Sequence, residues 1–220
     1  MRLRRRARGK PRRAKARTTC YPDVVAEDLN DPKYWNDVYL EGTPGWDKGR
    51  ASPPIARMIG EGIVPPGGWV CVVGAGKGHE AVALAKAGYR ATAVDFAEEA
   101  VKAMRAAHAM LDIQQRDIFT LPADFTATFD AICEHTCFCA IDPKRRVEYA
   151  DAMRTCLKPG GLLFGLFYDH GREGGPPFTT TEPEIRSIFE AGFTFERFLI
   201  APDSLPERAG KEREFVFRRT

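Results

Sequence analysis

Trp69-Val70-Cys71-Val72-Val73-Gly74-Ala75-Gly76-Lys77-Gly78-His79-Glu80 reads as a buried strand running into a glycine turn that opens a helix. Five apolar residues from Trp69 to Val73 suit a central strand of a parallel sheet. The glycines at 74, 76 and 78 let the chain turn sharply and bring its backbone close to a ligand. Ala81, Leu84, Ala85 and Gly88 follow at helical spacing. A second strand, Tyr89 to Val94, ends in Asp95. An acid there suits the two hydroxyls of a ribose. The alternative is an ordinary strand–turn–helix with no ligand. Taken with Asp95, the pattern points to a nucleoside-containing cofactor, held by backbone at one end and by a carboxylate at the other.

The dinucleotide fingerprint is G-x-G-x-x-G/A. Here the third glycine arrives one residue early, and His79 occupies the last position of that fingerprint. The spacing G-x-G-x-G resembles motif I of class I S-adenosyl-L-methionine (SAM) methyltransferases. SAM has no pyrophosphate and does not need a helix N-terminus as an anion site.

A chain of 220 residues suits one domain with a real core. No apolar run approaches the ~18 residues of a membrane span, and no membrane partner is expected. No secretory apolar segment is read near the start. Six cysteines are scattered through an α/β pattern, which favours reduced thiols and a cytoplasmic setting over a disulfide framework. The net charge of +3 conceals an asymmetry. Residues 1–17 carry ten Lys and Arg and no acid, which leaves 23 basic against 30 acidic residues elsewhere. The body is acidic, so its partners need not be polyanions. The basic arm, placed at residues 1–20, is expected to be disordered. It reads as an anion-binding tail, a targeting segment or an incidental extension. The last is favoured, because no interleaved aromatics or nucleic-acid motif accompany it, and nucleic acid is not expected as a partner.

Asp31-Pro32 is a helix start, and Tyr34, Trp35, Val38 and Tyr39 follow at helical spacing. After the Gly42-Thr43-Pro44-Gly45 turn comes Trp46-Asp47. Trp35 and Trp46 are either core anchors or part of a lid, at about residues 28–60, whose aromatic faces meet a sulfonium. Ser52 opens a helix that runs to about Gly60. Ala97 to Ala109 is a further helix, and Ile113 to Arg116 a third strand that ends at Asp117-Ile118-Phe119. Asp117 either accepts from an exocyclic amine or closes a plain turn. Phe129 to Cys133 is the fourth strand, followed by Glu134 and His135. Ligands of open α/β sheets bind beyond the carboxyl ends of strands, so this is the best-placed ionisable pair. Cys137 and Cys139 beside His135 have poor metal spacing, and no metal is expected. A helix from Asp142 to Leu157 is stopped by Lys158-Pro159-Gly160-Gly161, and Leu162 to Tyr168 is the fifth strand. Thr181 and Glu184 match a capping box. Phe193 to Ile200 and Arg213 to Arg219 close the pattern as antiparallel strands. The expected fold is α/β, a doubly wound and mostly parallel seven-stranded sheet with helices on both faces.

In this order, several pieces resemble the thiopurine S-methyltransferase-like family of class I SAM-dependent enzymes, closest to its thiol/halide branch. They are Trp35, Trp46, Asp47 and Gly49, then V-G-A-G-K-G-H-E at 73–80 and A-V-D-F at 93–96. F-C-A-I-D-P at 138–143, L-K-P-G-G at 157–161 and G-G-P-P-F at 174–178 complete the set. The resemblance runs from about Tyr34 to Phe217. It implies that Trp35, Trp46, Gly74, Gly76, Asp95, Phe96, Asp117, Ile118 and Glu134 line the SAM site. It implies too that Phe138, Pro176 and Pro177 cover the acceptor. Thiopurine enzymes tend to carry Arg at the place of His135, and halide/thiol enzymes Tyr. His135 is therefore either a base facing a thiol or a structural residue.

The expected activity is methyl transfer from SAM to a small soft nucleophile. The candidates are hydrosulfide, a small thiol or a thiopurine, with halide as a further acceptor. A class I enzyme acting on oxygen, nitrogen or a metalloid is the alternative, and a non-catalytic nucleotide-binding module a distant one. A monomer or weak dimer is expected.

Overall fold

The computed structural model of the chain describes residues 29–42 and 44–220. The basic arm at 1–20, and Cys20 with it, lie outside the described residues. Among the described residues two helices come first, α1 (Pro32–Leu40) and α2 (Pro53–Gly60). Alternating units follow: β1 (Trp69–Val73), α3 (His79–Lys86), β2 (Arg90–Asp95), α4 (Glu98–Ala107), β3 (Asp112–Gln115) and β4 (Phe129–His135). Then come α5 (Arg146–Cys156), β5 (Leu157–Tyr168), α6 (Glu182–Phe189), β6 (Phe193–Ile200) and β7 (Glu212–Arg219). The strands form one seven-stranded sheet in the order β3-β2-β1-β4-β5-β7-β6. Only the pairings of β7, with β5 and with β6, are antiparallel.

Period-two alternation divides the core. On β1, Cys71 and Val73 join the apolar cluster that takes in α5 and α6, while Val70 and Val72 join the cluster of α2, α3 and α4. Both faces of the sheet are thereby covered, as a parallel sheet requires. The reversal of strand order between β1 and β4 opens a crevice at the carboxyl ends. Val73 pairs with both Val94 and Glu134, so Gly74, Asp95 and His135 emerge at one rim.

Most punctuation falls where the local chemistry puts it. The Asp31 carboxylate accepts from the Lys33 backbone N–H at 2.8 Å, with Pro32 at the first helical position. Four expectations need correction. The helix expected from Asp142 divides into a 3-10 turn, Pro143–Arg145, and α5. β5 starts at Leu157 rather than Leu162, because the ladder with β4 resumes after an irregularity that absorbs the Lys158–Gly161 run. The Thr181–Glu184 capping box does not form: Thr181 makes no side-chain cap, and Glu184 instead accepts from Arg146 Nη1 at 2.5 Å. The third strand gives way to an unexpected 3-10 turn at Ile118–Ala123, capped by Asp117.

Candidate active site

At the carboxyl rim lies a cavity of about 500 Å³. One end is built by the tips of β2 and β3, with Asp95, Phe96, Asp117, Ile118 and Phe119 in its wall. Asp95 is 7 % exposed. Its Oδ2 accepts from Gly76 N–H at 2.8 Å and its Oδ1 from Ala97 N–H at 2.9 Å. Each oxygen keeps a further lone pair, which is what two vicinal hydroxyls need. Burial pushes the Asp95 carboxyl up to about 6, against the pull of backbone N–H groups at Ala97, Gly76 and Phe96. Asp117 accepts from Phe119 N–H at 3.0 Å. The Phe119 ring lies under the Arg145 guanidinium, 3.4 Å from its centroid.

The glycine turn brings backbone up to this wall. Gly74 has φ +56°, and a Cβ there would meet Cys137 Cβ and Sγ at 2.8 Å. Only glycine lets the turn lie against the Cys137 segment. Opposite stands the α1 segment. Trp35 and Trp46 meet edge to face at 5.8 Å, and Tyr39 meets Trp46 at 6.1 Å. All three line the cavity. Asp47 ties this segment to the turn, accepting from Lys77 Nζ at 2.7 Å and pairing with His79 Nε2 at 2.9 Å. Burial works to raise the Asp47 carboxyl, but hydrogen bonds from Lys77, Gly49 N–H and His79 outweigh it and hold it at about 2.

The other end is built by the loop after β5 and the loop before β7. Tyr168, His170, Arg172, Pro176, Pro177, Arg208 and Lys211 line it. The sequence places the 169–180 loop, with its two prolines, at this face, but gives no local sign of Arg208 and Lys211 from the loop before β7. A signal was available: Tyr168 pairs with Glu212 in an antiparallel ladder, so the loop preceding β7 must lie beside the carboxyl end of β5. Asp169 N–H donates to Lys211 O at 2.7 Å and joins the two loops.

Four expected site residues, Gly76 among them, do not line this cavity. Glu134 is 1 % exposed, and its carboxylate turns inward to Cys137 N–H, Phe138 N–H and the Tyr149 hydroxyl. Phe138 is wholly buried among Tyr149, Phe167 and Phe189 and does not border the cavity. His135 lines a smaller cavity of about 40 Å³ behind the glycine turn, together with Gly76. Its Nδ1 lies 2.9 Å from Glu80 Oε1, and its Nε2 faces Arg208 Nη1 at 3.4 Å. Because a guanidinium only donates, Nε2 is the accepting nitrogen and Nδ1–H donates to Glu80. The lone pair of His135 is thus engaged by Arg208, which lines the acceptor end. His170 does border the large cavity, yet its Nε2–H donates to Pro177 O at 3.0 Å and its Nδ1 accepts from Arg172 N–H at 3.2 Å. Burial, with Arg172 and Lys211 nearby, lowers its pKa. Among the described residues, no group of three or more His, Cys, Asp or Glu side chains could hold a metal ion. No helix among them is long and apolar enough to cross a membrane.

The donor set fits a nucleoside sulfonium. A buried carboxylate stands ready for a diol, Ile118 and Phe119 offer apolar surface for a purine, and three aromatic rings face the space where a cation would sit.

Comparison with known proteins agrees. The family model for thiopurine S-methyltransferase (TPMT) matches residues 30–218. Thiocyanate methyltransferase 1 of Brassica oleracea is 31 % identical over 205 residues, covering 87 % of this chain and 88 % of that protein. Thiopurine S-methyltransferase of Pseudomonas fluorescens is 28 % identical, covering 80 % and 89 %. Among solved structures, the 1,6-didemethyltoxoflavin-N1-methyltransferase of Burkholderia thailandensis, with bound S-adenosylhomocysteine, shares the fold. Its TM-score is 0.71 at 19 % identity, covering 91 % of this chain and 92 % of that one. The chain belongs to the thiopurine S-methyltransferase family and is a SAM-dependent methyltransferase.

Proposed function

We propose that this enzyme methylates a small soft sulfur nucleophile that reacts as its anion: a thiolate, hydrosulfide, thiopurine or a thiocyanate-like ion, with halide as a further acceptor. The observation that carries this reading is the acceptor wall, which is rich in cations and poor in base. The His170 lone pair is occupied by Arg172, and that of His135 faces Arg208. Glu207, the carboxylate on that wall, is held below its usual range by a backbone N–H and by Lys48. An oxygen or nitrogen acceptor needs a base to take its proton during transfer. A soft anion does not, and neighbouring cations favour its ionised form.

SAM supplies a sulfonium methyl that moves to the nucleophile as the carbon–sulfonium bond breaks, leaving a neutral thioether. The chain's own work is alignment and exclusion of water. In this reading Asp95 receives the ribose, and Ile118 and Phe119 flank the base. The α1 segment with Trp35 and Trp46 acts as a lid. The same reading places the enzyme in the cytoplasm, where its five described cysteines, all free and buried, would stay reduced.

Asp95→Ala is expected to weaken SAM binding about 10- to 150-fold, a loss of about 1.5–3 kcal/mol for a charge-assisted hydrogen-bond pair. Calorimetric titration measures this, and unchanged affinity would remove Asp95 from the ribose. The same contact carries a pH signature. Hydroxyl donors favour the anion, so binding below pH about 6 must expel the Asp95 proton. Affinity should fall by about tenfold per pH unit under that value and level off above it.

The deciding assay is turnover to S-adenosylhomocysteine with hydrosulfide, thiocyanate, a thiopurine, iodide and a catechol. Methylation of the sulfur acceptors, with the catechol silent, is the expected result. Preference for the catechol would overturn the reading.

A further inference from the structure

The acceptor end of the large cavity holds more positive charge than a bare soft anion uses. Lys48, Arg172, Arg208 and Lys211 line it. Two of these are compensated: Lys48 pairs with Glu207 at 3.1 Å, and Arg208 with Glu212 at 3.0 Å. Arg172 and Lys211 have no carboxylate partner among the described residues. The Arg172 Nε turns to His170 Nδ1 at 3.3 Å. Asp169 and Glu173, the acids nearest Arg172 in the chain, do not line the cavity, and Asp169 accepts from the Thr179 hydroxyl at 2.9 Å; near Lys211, Glu212 is taken by Arg208 and Glu207 by Lys48. Asp169 N–H donates to Lys211 O at 2.7 Å, next to the His170 that Arg172 contacts, so the two loops carry both cations to one stretch of wall.

Their place in the fold separates them from the nucleoside end. Asp95 and Asp117 stand at the tips of β2 and β3. Arg172 and Lys211 stand on the loops of β5 and β7, on the far side of the strand-order reversal. They sit on a body that, outside residues 1–17, carries 23 basic against 30 acidic residues. A converging pair of unpaired cations at a cavity mouth is therefore a local reversal of the charge around it. Such a patch raises the local concentration of anions and orients them on entry.

We propose that the acceptor carries, besides its sulfur, a separate negatively charged group, a carboxylate or a sulfonate, and that Arg172 and Lys211 receive it at the cavity mouth. The acceptor class is then an anionic thiol rather than a neutral one. This inference rests on the S-methylation reading above.

Four thiols with a two-carbon spacer test it: mercaptopropionate, mercaptoethanesulfonate, mercaptoethanol and cysteamine. Rates are compared per thiolate, so that differences in thiol ionisation drop out. The expected kcat/KM order is the two anions first, then mercaptoethanol, then cysteamine, with anion over neutral by about tenfold at low salt, as befits two exposed ion pairs. Added salt should shrink that ratio. In the double variant Arg172→Gln, Lys211→Gln the ratio should fall to near one, through KM. Turnover of all four thiols without a charge order overturns this inference and leaves the S-methylation reading standing. An order that survives in the double variant overturns the assignment to these two residues. A double variant with weakened SAM affinity, read by calorimetry, would mean that the cations serve the cofactor's carboxylate, which overturns it as well. Turnover of hydrosulfide or a thiopurine but of none of the four overturns this inference alone, and silence of those two acceptors as well overturns the S-methylation reading with it.

Discussion

Glu134→Ala is expected to cost about 3–5 kcal/mol of folding stability, while Glu134→Gln should cost little and leave SAM affinity within about twofold. The Glu134 carboxylate is a staple. Its Oε1 accepts from Cys137 N–H at 2.9 Å and from Phe138 N–H at 2.8 Å, and its Oε2 accepts from the Tyr149 hydroxyl at 2.6 Å. Burial pushes the carboxyl up, and those same three donors resist the shift. Alanine strands all three in a site closed to water, at about 1–3 kcal/mol for each buried unsatisfied group. Against a typical total of about 5–15 kcal/mol, that is a large share. Glutamine keeps an oxygen for the two N–H groups and turns its amide toward the Tyr149 oxygen. Urea unfolding and calorimetric SAM titration separate the roles. A Gln variant of normal stability that loses SAM would return Glu134 to the cofactor site.

The neighbouring pair Glu134-His135 also shows what the sequence could carry and what it could not. The strands, their order of appearance and the acid at the tip of β2 were legible, because apolar period, glycine turns and Asp-Pro starts are local signals. The face on which a side chain lands is local as well: Ile132 joins the α5 side and Cys133 the α3 side. Glu134 and His135 continue that alternation. What waits on each face is not local. Tyr149 comes from α5 and Glu80 from α3, and both capture their partners before a ligand does. Phe138 was misplaced for the same reason. Its motif fixes its position in the chain, but Tyr149, Phe167 and Phe189 form a ring cluster that exists only once β5 and α6 have packed. The Arg208 and Lys211 wall needed one further step: an antiparallel β7 returns its leading loop to the carboxyl rim.

Gly165→Ala is expected to be the most damaging methyl added at any described glycine. Leu163-Phe164-Gly165-Leu166 reads as a plain apolar strand, and a glycine inside such a strand marks a close backbone approach. Gly165 pairs with Glu134 on β4 and with Phe215 on β7, so it has strands on both sides. Its φ is +150°, a conformation that side chains rarely adopt. A Cβ there would overlap the Glu134 carbonyl oxygen, 2.7 Å from its carbon and 3.0 Å from its nitrogen. These are backbone atoms of a paired strand, so no side-chain rotation relieves the clash. Strain and overpacking together should cost about 3–6 kcal/mol. For a chain of this size that lowers Tm by roughly 6–24 °C. The damage should reach the site, because the displaced segment is the carboxyl end of β4, which leads into Thr136 and Cys137 on the cavity wall. A folded Gly165→Ala enzyme should therefore bind SAM more weakly at temperatures where it is intact. A Tm within about 2 °C of the parent protein would show that β4 and β5 can part without loss. The tight approach would then have no bearing on the site.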